Sequence, residues 1–342
     1  MKDRLIKSAL GLGLALAALA AQAQWSATPA VKALYDEAKK EGQVVVWGTA
    51  AREIDWLPKA FGAVFPGIDV KVMADNNITT KAIAEARAGR HSFDLMSTSL
   101  SLTLKLEERK MLEPVDWQMF GVDKSNTAFD GRMAYTHNVV YTIAYNKDKV
   151  KAADVPKQWA DLLDPRYKGK MVASSFLLPR MVSVLGLAWG EEQTAQFARE
   201  LVAKAGIMQT KAPREPFLQS GERLYSVAEI DSFPKLWARD GIPVSFVIPE
   251  PVLMAQFGVL VMHDAPHPAA ARLMAGWMAS AEGKREREKE AFQTDYLPTS
   301  ANETARRIYS SGAKVVLDTP QELGNRDRML TKIAPIVSGQ SR

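Results

Sequence analysis

The stretch Val140–Met171, VYTIAYNKDKVKAADVPKQWADLLDPRYKGKM, decides the fold because it carries a strand, a helix and a second strand, each with its own stop signal. The β-branched and aromatic run Val139–Tyr145 predicts a buried strand that ends at Asn146. Asp164 precedes a proline, a position that disfavours helical backbone angles, so the short W-A-D-L-L helix ends there. A K-G-K turn then leads into an apolar strand at 171–173. The stretch therefore predicts a strand–helix–strand unit.

The same alternation runs through the rest of the chain. Before this stretch, the pattern predicts helices at 31–40, 56–65 and 79–88 and strands at 43–47, 69–73 and 93–96. After it, the pattern predicts helices at 179–188, 194–205 and 233–240 and strands at 207–209, 223–230 and 244–248. This order predicts an α/β fold in which parallel sheets are covered by helices.

Three segments carry a family resemblance. A strand ending in Y-N, then a proline, W-x-D-L-L-D-P and K-G-K resembles the family 1 extracellular solute-binding proteins of ABC transporters, which include ferric-ion and sugar-phosphate binding proteins. VVVWGTAAREIDWLPKAFGAVFPGIDVKV at 44–72 and FGVLVMHDAPHPAAARLMAGWMASAEGKRE at 257–286 resemble the family's opening and late segments. The resemblance implies a type II periplasmic binding protein, with two doubly wound lobes joined by a hinge. Lobe 1 would comprise 24–140 and 256–310, lobe 2 would comprise 141–255, and 311–342 would form C-terminal helices that pack across the lobes.

The amino-terminal residues 1–23 have the pattern of a secretory signal peptide. Three basic residues precede the apolar run Leu10–Ala20, and an A-x-A site stands before Gln24. The apolar run is shorter than the ~20 residues that a membrane-spanning helix needs. The chain has no cysteine, which excludes a lipidation site beside the cut and a disulfide framework. We therefore expect export, cleavage and a mature protein free in the periplasm.

The net charge limits the class of partner. Positions 1–23 hold three basic residues and one acidic residue, so they carry +2 of the formal +5 and leave +3. This mild positive balance fits an anionic ligand, whereas nucleic-acid binding needs a concentrated basic patch, and no nucleic-acid partner is predicted. The dense run EGKREREKE at 282–290 mixes both signs and predicts a solvated helix face.

Small polar residues follow three predicted strands of lobe 1. Ligands of such sheets bind outside the carboxyl ends of the strands. The candidate ligand-binding residues of lobe 1 are Thr49, Asn76, Ser97, Thr98 and Ser99. Each alone is also explained as a turn former or a helix cap, but three such groups on one rim favour a binding site.

A second group of candidates lies in lobe 2. Ser174 and Ser175 stand between a strand and a helix, where hydroxyls and helix amides suit a phosphate or carboxylate, and Arg180 could supply the countercharge. The resemblance implies acidic residues near Asp231 and Glu250, which would accept hydrogen bonds from ligand hydroxyls or pair with an ammonium group. The alternative is that Asp231 caps the following helix and that Glu250 is an exposed turn residue.

The sequence does not fit the ferric-binding branch of the family. That branch holds iron with two adjacent tyrosines, a histidine and a glutamate, and the tyrosine positions here are Asp231 and Ser232. The histidine position falls near Ala51 and the glutamate position at Ser99. The four histidines show no metal-ligand spacing, and His263 and His267, which flank a proline turn, are expected to be exposed. Neither a metal nor a cofactor is predicted.

The sequence and its family resemblance predict a transport protein. Hydrolase and nucleotide motifs do not occur, and hydroxymethylbilane synthase, an enzyme of the same fold, needs a cysteine. We expect a monomer that captures a small organic anion, phosphorylated or hydroxylated, by hinge closure between the two rims and delivers it to an inner-membrane ABC permease. Phe176, Leu177 and Leu178 depart from the hydroxyl-rich pattern of sugar-phosphate binders and leave an aromatic or larger organic acid open. The alternatives are a ferric-iron or ferric-chelate binding protein and a periplasmic sensor for a membrane receptor.

Overall fold

A computed structural model describes residues 28–339, so the predicted signal peptide at 1–23 lies outside the described residues. The described chain divides into two compact units. The first unit comprises 28–98, 105–136 and 258–290, and the second comprises 99–104, 137–257 and 291–339. The chain passes between them near 137 and 258, close to the predicted lobe boundaries at 141 and 256. Residues 291–310, which we assigned to lobe 1, group with the second unit.

The helices and strands alternate as the sequence predicts. The helices are α1 (Pro29–Glu41), α2 (Ala51–Ile54), α3 (Leu57–Val64), α4 (Ile78–Arg87), α5 (Leu100–Glu107), α6 (Leu177–Trp189), α7 (Glu191–Ala203), α8 (Glu215–Ser220), α9 (Ser232–Arg239), α10 (Pro268–Ala279), α11 (Ala281–Ala291), α12 (Glu303–Ser310) and α13 (Leu323–Val337). The strands are β1 (Gln43–Gly48), β2 (Asp69–Ala74), β3 (Leu95–Ser99), β4 (Leu112–Glu113), β5 (Thr127–Ala128), β6 (Met133–Asn146), β7 (Met171–Ser174), β8 (Met208–Thr210), β9 (Tyr225–Ile230), β10 (Val244–Val247), β11 (Val252–Met262) and β12 (Val315–Leu317). The W-A-D-L-L segment forms a 3₁₀ helix, Trp159–Leu163, that ends at Asp164 as predicted.

The first unit is built around parallel strands. β1 lies between β2 and β3, in the order β2-β1-β3, and pairs in parallel with both. Trp47 of β1 stacks on Phe93 with 4.0 Å between ring centroids. Helix α10 packs on α1, and the Glu41 carboxylate at the end of α1 accepts the backbone N–H groups of Ala269 and Ala270. This carboxylate therefore caps α10 and joins the two helices.

The second unit has a separate sheet edge and core. Its strands follow the order β6-β9-β7-β8, in which β7 is parallel to β8 and β9 while β6 is antiparallel to β9. Helix α13 packs on α6 and α7, and Gly186 of α6 permits the close approach of Met329, because a Cβ there would lie 2.6 Å from the methionine Cε. The parallel strands β7, β8 and β9 consequently end at one edge, where α6 and α9 begin.

One expectation about exposure was wrong, and another holds for every charged residue of its segment except Arg287. The mixed-charge run does form a helix, α11, but Arg287 in it is fully buried, and its guanidinium lies 5.3 Å from the Trp56 ring centroid. His267 is only partly exposed, because its Nδ1 lies 3.0 Å from a carboxylate oxygen of the buried Asp94. A local charge pattern does not reveal which side chains another element covers. Within residues 28–339, no helix is long and apolar enough to cross a membrane.

Candidate functional site

The ends of β7, β8 and β9 form one edge of the second unit, which we call the β7–β9 edge. Ser174 ends β7, Thr210 ends β8 and Ile230 ends β9. The Ser175 N–H donates to the Thr210 carbonyl over 3.0 Å, so the turn after β7 stays beside the end of β8. Carboxyl ends of parallel strands are where such sheets bind ligands.

Ser174 caps the helix that leaves this edge. Its Oγ accepts the N–H groups of Phe176 at 3.2 Å and Leu177 at 3.3 Å, at the start of α6. Both acceptor positions of the hydroxyl oxygen are thereby used, and its hydrogen remains as a donor. Ser175, the next residue, is half-buried. The two serines predicted from the sequence thus stand together where α6 begins.

Arg180 provides a positive charge beside these serines. Its guanidinium carbon lies 3.5 Å from the Phe176 ring centroid, and its Nη1 donates to the Phe176 carbonyl over 2.8 Å. The ring and the carbonyl together fix the guanidinium in place. Burial lowers the pKa of Arg180 to about 10, with a further decrease from Arg326 that Tyr141 opposes. The group remains protonated at neutral pH.

A buried charge cluster near Arg180 was missed by the sequence analysis. Arg326 and Asp318 are both buried and form an ion pair, and Asp318 Oδ1 accepts the Gln256 N–H over 2.7 Å. Burial lowers the pKa of Arg326, against which a hydrogen bond with Tyr141 acts. Because Asp318 is paired with Arg326, it does not neutralise Arg180. A buried arginine and aspartate on separate elements leave no local pattern in the sequence.

Asp231 is buried and fully engaged within the second unit. Its Oδ1 accepts the Val140 N–H at 3.2 Å, and its Oδ2 accepts Lys235 Nζ at 2.6 Å and the Tyr296 hydroxyl. It makes no side-chain cap bond to α9, so the capping alternative is wrong. Lys235 also donates to the Tyr296 hydroxyl oxygen over 2.7 Å. The carboxylate thus joins β6, α9 and the segment after α11.

A second buried carboxylate, Glu229, was also missed. Arg214 binds it with two bonds, Nε to Oε1 at 2.7 Å and Nη2 to Oε2 at 2.9 Å, and Ser226 donates to Oε1 over 2.7 Å. Burial lowers the pKa of Arg214, but the charge and hydrogen bonds of Glu229 raise it by more, so the pKa of Arg214 lies above its usual value. A glutamate inside the apolar strand SVAEI was the signal that could have predicted this pair, since a buried charge needs a partner.

Glu250 is bonded through its backbone to the segment at 157–159. It is exposed, its N–H donates to the Lys157 carbonyl over 3.0 Å, and its carbonyl accepts the Trp159 N–H over 3.4 Å. These bonds anchor it to the 157–159 loop, so its assignment to the ligand stays a prediction.

The first-unit candidates end adjacent strands. Gly48 pairs with Ala74 and with Ser97, so Thr49 and Asn76 lie just beyond the ends of β1 and β2, while Ser97 lies within β3 opposite the last residue of β1. Asn76 is exposed, while Ser97 is buried.

The remaining candidates that we predicted for lobe 1 are buried. Thr98 and Ser99 end β3, but Ser99, which we assigned to lobe 1, groups with the second unit. The Ser99 carbonyl accepts the Thr103 hydroxyl over 3.0 Å. Thr49 donates its hydroxyl to Oε2 of the buried Glu53 over 2.8 Å. The sequence analysis missed Glu53, although its i,i+4 spacing from Thr49 directly after a strand was a usable signal.

The sequence of the chain matches a known protein family. Residues 95–315 match the model of the bacterial extracellular solute-binding protein family. The chain belongs to that family. Our assignment to the extracellular solute-binding proteins is therefore confirmed, and the family is one of transport substrate-binding proteins rather than enzymes. An uncharacterised protein of Haemophilus influenzae is 30% identical over 166 residues, a match that spans 46% of this chain and 46% of that protein.

Solved structures with the same fold include solute-binding proteins with different ligands. Iron-bound HitA from Pseudomonas aeruginosa is 17% identical with a TM-score of 0.70, over 86% of this chain and 99% of that one. AfuA from Actinobacillus pleuropneumoniae, with fructose-6-phosphate bound, is 18% identical with a TM-score of 0.69, over 87% and 99%. The predicted fold class, the two-lobed periplasmic binding type, is confirmed. These identities establish the fold and leave the ligand of this solute-binding protein open.

Among the residues that the structure describes, no group of three or more histidine, aspartate or glutamate side chains is placed to hold a metal ion. The structure does bring Ser174, Ser175 and Arg180 together at the β7–β9 edge, and Asp231 directly follows β9, the strand that pairs with β7.

Proposed function

We propose that this solute-binding protein captures a small organic anion in the periplasm and delivers it to an inner-membrane ABC permease. The observation that carries the proposal is Arg180, a half-buried cation held at the β7–β9 edge beside two serine hydroxyls. Oxygen atoms of a phosphate or carboxylate accept bonds from this combination of donors.

The charge balance of the edge supports an anion. Asp231 is paired with Lys235, Glu229 with Arg214, and Asp318 with Arg326. Arg180 is bonded instead to a backbone carbonyl, and its Nε has no partner among the described residues. A half-buried guanidinium without a carboxylate keeps a net positive charge that an anionic ligand would neutralise.

The same contacts favour an organic anion over ferric iron. Ferric iron prefers several hard oxygen donors. Asp231, which stands at one of the two tyrosine positions of the ferric-binding branch, already accepts bonds from Lys235 and Tyr296. Ser232, at the other position, is buried.

A thermal-shift screen of the chain from Gln24 tests the ligand class. The panel contains sugar phosphates, phosphonates, aromatic and aliphatic carboxylates, polyamines and ferric citrate. A ligand that binds only the native state raises the melting temperature by mass action. We expect shifts with organic anions, and a shift with ferric citrate alone would contradict the proposal.

Arg180→Gln is the matched test of the residue. Loss of one charge-assisted hydrogen bond corresponds to roughly a tenfold to hundredfold weaker Kd for the anion that binds the wild type. Arg199→Gln, on the exposed face of α7, is the control and should leave Kd unchanged. An unchanged Kd in Arg180→Gln would rule out this residue as the anion's partner.

Delivery to a permease and the monomeric state are further parts of the proposal. Copurification of the ligand-loaded protein with membranes would capture its membrane partner. The identity of the captured protein would distinguish a permease from a sensor receptor. Light scattering of the purified chain tests the monomer. Capture by hinge closure stays a prediction.

A further inference from the structure

The two carboxylates nearest the end of β9, those of Asp231 and Glu229, are already bonded within the second unit. The Asp231 carboxylate accepts hydrogen bonds from the Val140 N–H, Lys235 Nζ and the Tyr296 hydroxyl, and the residue is only 2% exposed. A sugar or polyol needs acceptors for its hydroxyl hydrogens, and a buried, engaged carboxylate supplies none. The edge is therefore poor in what a polyhydroxylated ligand requires.

Glu229 is unavailable for the same reason. It is fully buried, and both of its oxygens accept bonds from Arg214. Its backbone carbonyl accepts the Thr142 hydroxyl over 3.0 Å. The Ser174 oxygen is likewise occupied by the first amides of α6.

Apolar surface stands at the same edge. Phe176 and Leu177 follow β7, and Phe233 follows β9, which pairs directly with β7. All three side chains are half-buried. One face of the Phe176 ring packs on the Arg180 guanidinium at 3.5 Å. The positive charge of Arg180 is thus adjacent to the aromatic carbon of Phe176.

We propose that the ligand is a carboxylate with an apolar, aromatic body, whose carboxylate binds Arg180 and whose body packs on Phe176 and Phe233. This inference rests on the proposed function and narrows it to one substrate class. It disfavours the phosphorylated and hydroxylated ligands that the family resemblance suggested.

Isothermal titration calorimetry with two sets of probes tests the inference. The aromatic carboxylates are phenylacetate, 4-hydroxybenzoate and indole-3-acetate, and the competitors are glucose 6-phosphate and citrate. We expect at least one aromatic carboxylate to bind the wild type with a Kd at least tenfold below that of either competitor. Absence of binding by all three aromatic carboxylates overturns the inference, as does a lower Kd for a competitor.

Variants separate this inference from the proposed function. Phe233→Ala should weaken binding of the aromatic carboxylate by roughly tenfold to a hundredfold, the range expected for loss of a buried aromatic contact. Trp189→Ala is the matched control, because this half-buried aromatic residue ends α6 at the opposite end from Phe176. If Phe233→Ala matches the control, the inference is wrong.

The two proposals fail in different ways. Tight binding of glucose 6-phosphate that is lost in Arg180→Gln would overturn the aromatic body and leave the organic anion intact. Binding of an aromatic carboxylate that is unaffected by Arg180→Gln would overturn both, because both assign the anion to that residue. Melting temperatures of all variants, measured without ligand, identify any variant that fails to fold. If Phe233→Ala fails to fold, Phe176→Leu replaces it as the test of the aromatic contact.

Discussion

Arg214→Met should destabilise the second unit strongly, because it leaves the Glu229 carboxylate buried without its cation. The side chain of Glu229 is 0% exposed and that of Arg214 is 13% exposed, and two short bonds of 2.7 and 2.9 Å join them. Removal of one partner from a buried ion pair costs about 3–5 kcal/mol of unfolding free energy. With an m-value of about 3 kcal/mol/M in urea, the unfolding midpoint should fall by about 1–1.7 M.

The assay is urea unfolding followed by circular dichroism, with an exposed pair as control. Lys204→Met breaks an i,i+4 pair with Glu200 in which the lysine side chain is 71% exposed, and solvent screening leaves such an exposed pair little effect on stability. The double variant Arg214→Met/Glu229→Gln should recover more than half of the loss, since it leaves no unpaired charge. A loss in Arg214→Met no larger than the control would refute the reasoning.

Three further changes have defined outcomes. Tyr296→Phe removes a hydroxyl bonded to Asp231 and should lower the unfolding free energy by about 1–3 kcal/mol in urea, and an unchanged midpoint would contradict that network. Gly276→Ala places a Cβ 2.3 Å from an aromatic ring and should cost about 1–3 kcal/mol in the same assay, whereas Gly324→Ala, in an exposed helix position with open space, should gain about 0.5–1 kcal/mol. Burial raises the pKa of Tyr225 to about 12, which favours the neutral phenol in the folded state. The contribution of Tyr225 to the unfolding free energy is therefore fully present below about pH 10, the pKa of tyrosine in the unfolded chain, and is lost between about pH 10 and 12. Urea unfolding midpoints of the wild type and Tyr225→Phe, measured across that pH range, test this.

The element order was predictable because it depends on local pattern. The apolar run at 43–47 became β1, Gln43–Gly48, and the amphipathic pattern at 31–40 became α1, Pro29–Glu41. The short helix before Asp164 was also predicted, because the following proline restricts the backbone of that residue directly. Periodicity and stop signals act within a few residues, so a single sequence reveals them.

The partners of charged residues were not predictable in the same way. The capping alternative for Asp231 was wrong, because its carboxylate instead accepts a hydrogen bond from a tyrosine 65 residues away. Arg287 was expected to be solvated within a mixed-charge helix, yet it is buried beside Trp56. Burial of a side chain depends on which distant element covers it, and that information is absent from the local pattern.

The sequence by itself determined the α/β order and the candidate strand ends, because strand, helix and turn propensities are properties of neighbouring residues. The solute-binding family came from the resemblance of three motif segments to that family. Only the tertiary structure decided which charges at those ends are already paired. It paired Glu229, Asp231 and Asp318 with their own cations and left Arg180 on an aromatic ring beside two serines. A buried charge needs a partner at hydrogen-bond distance, and the folding of distant segments onto one edge determines which charge finds one.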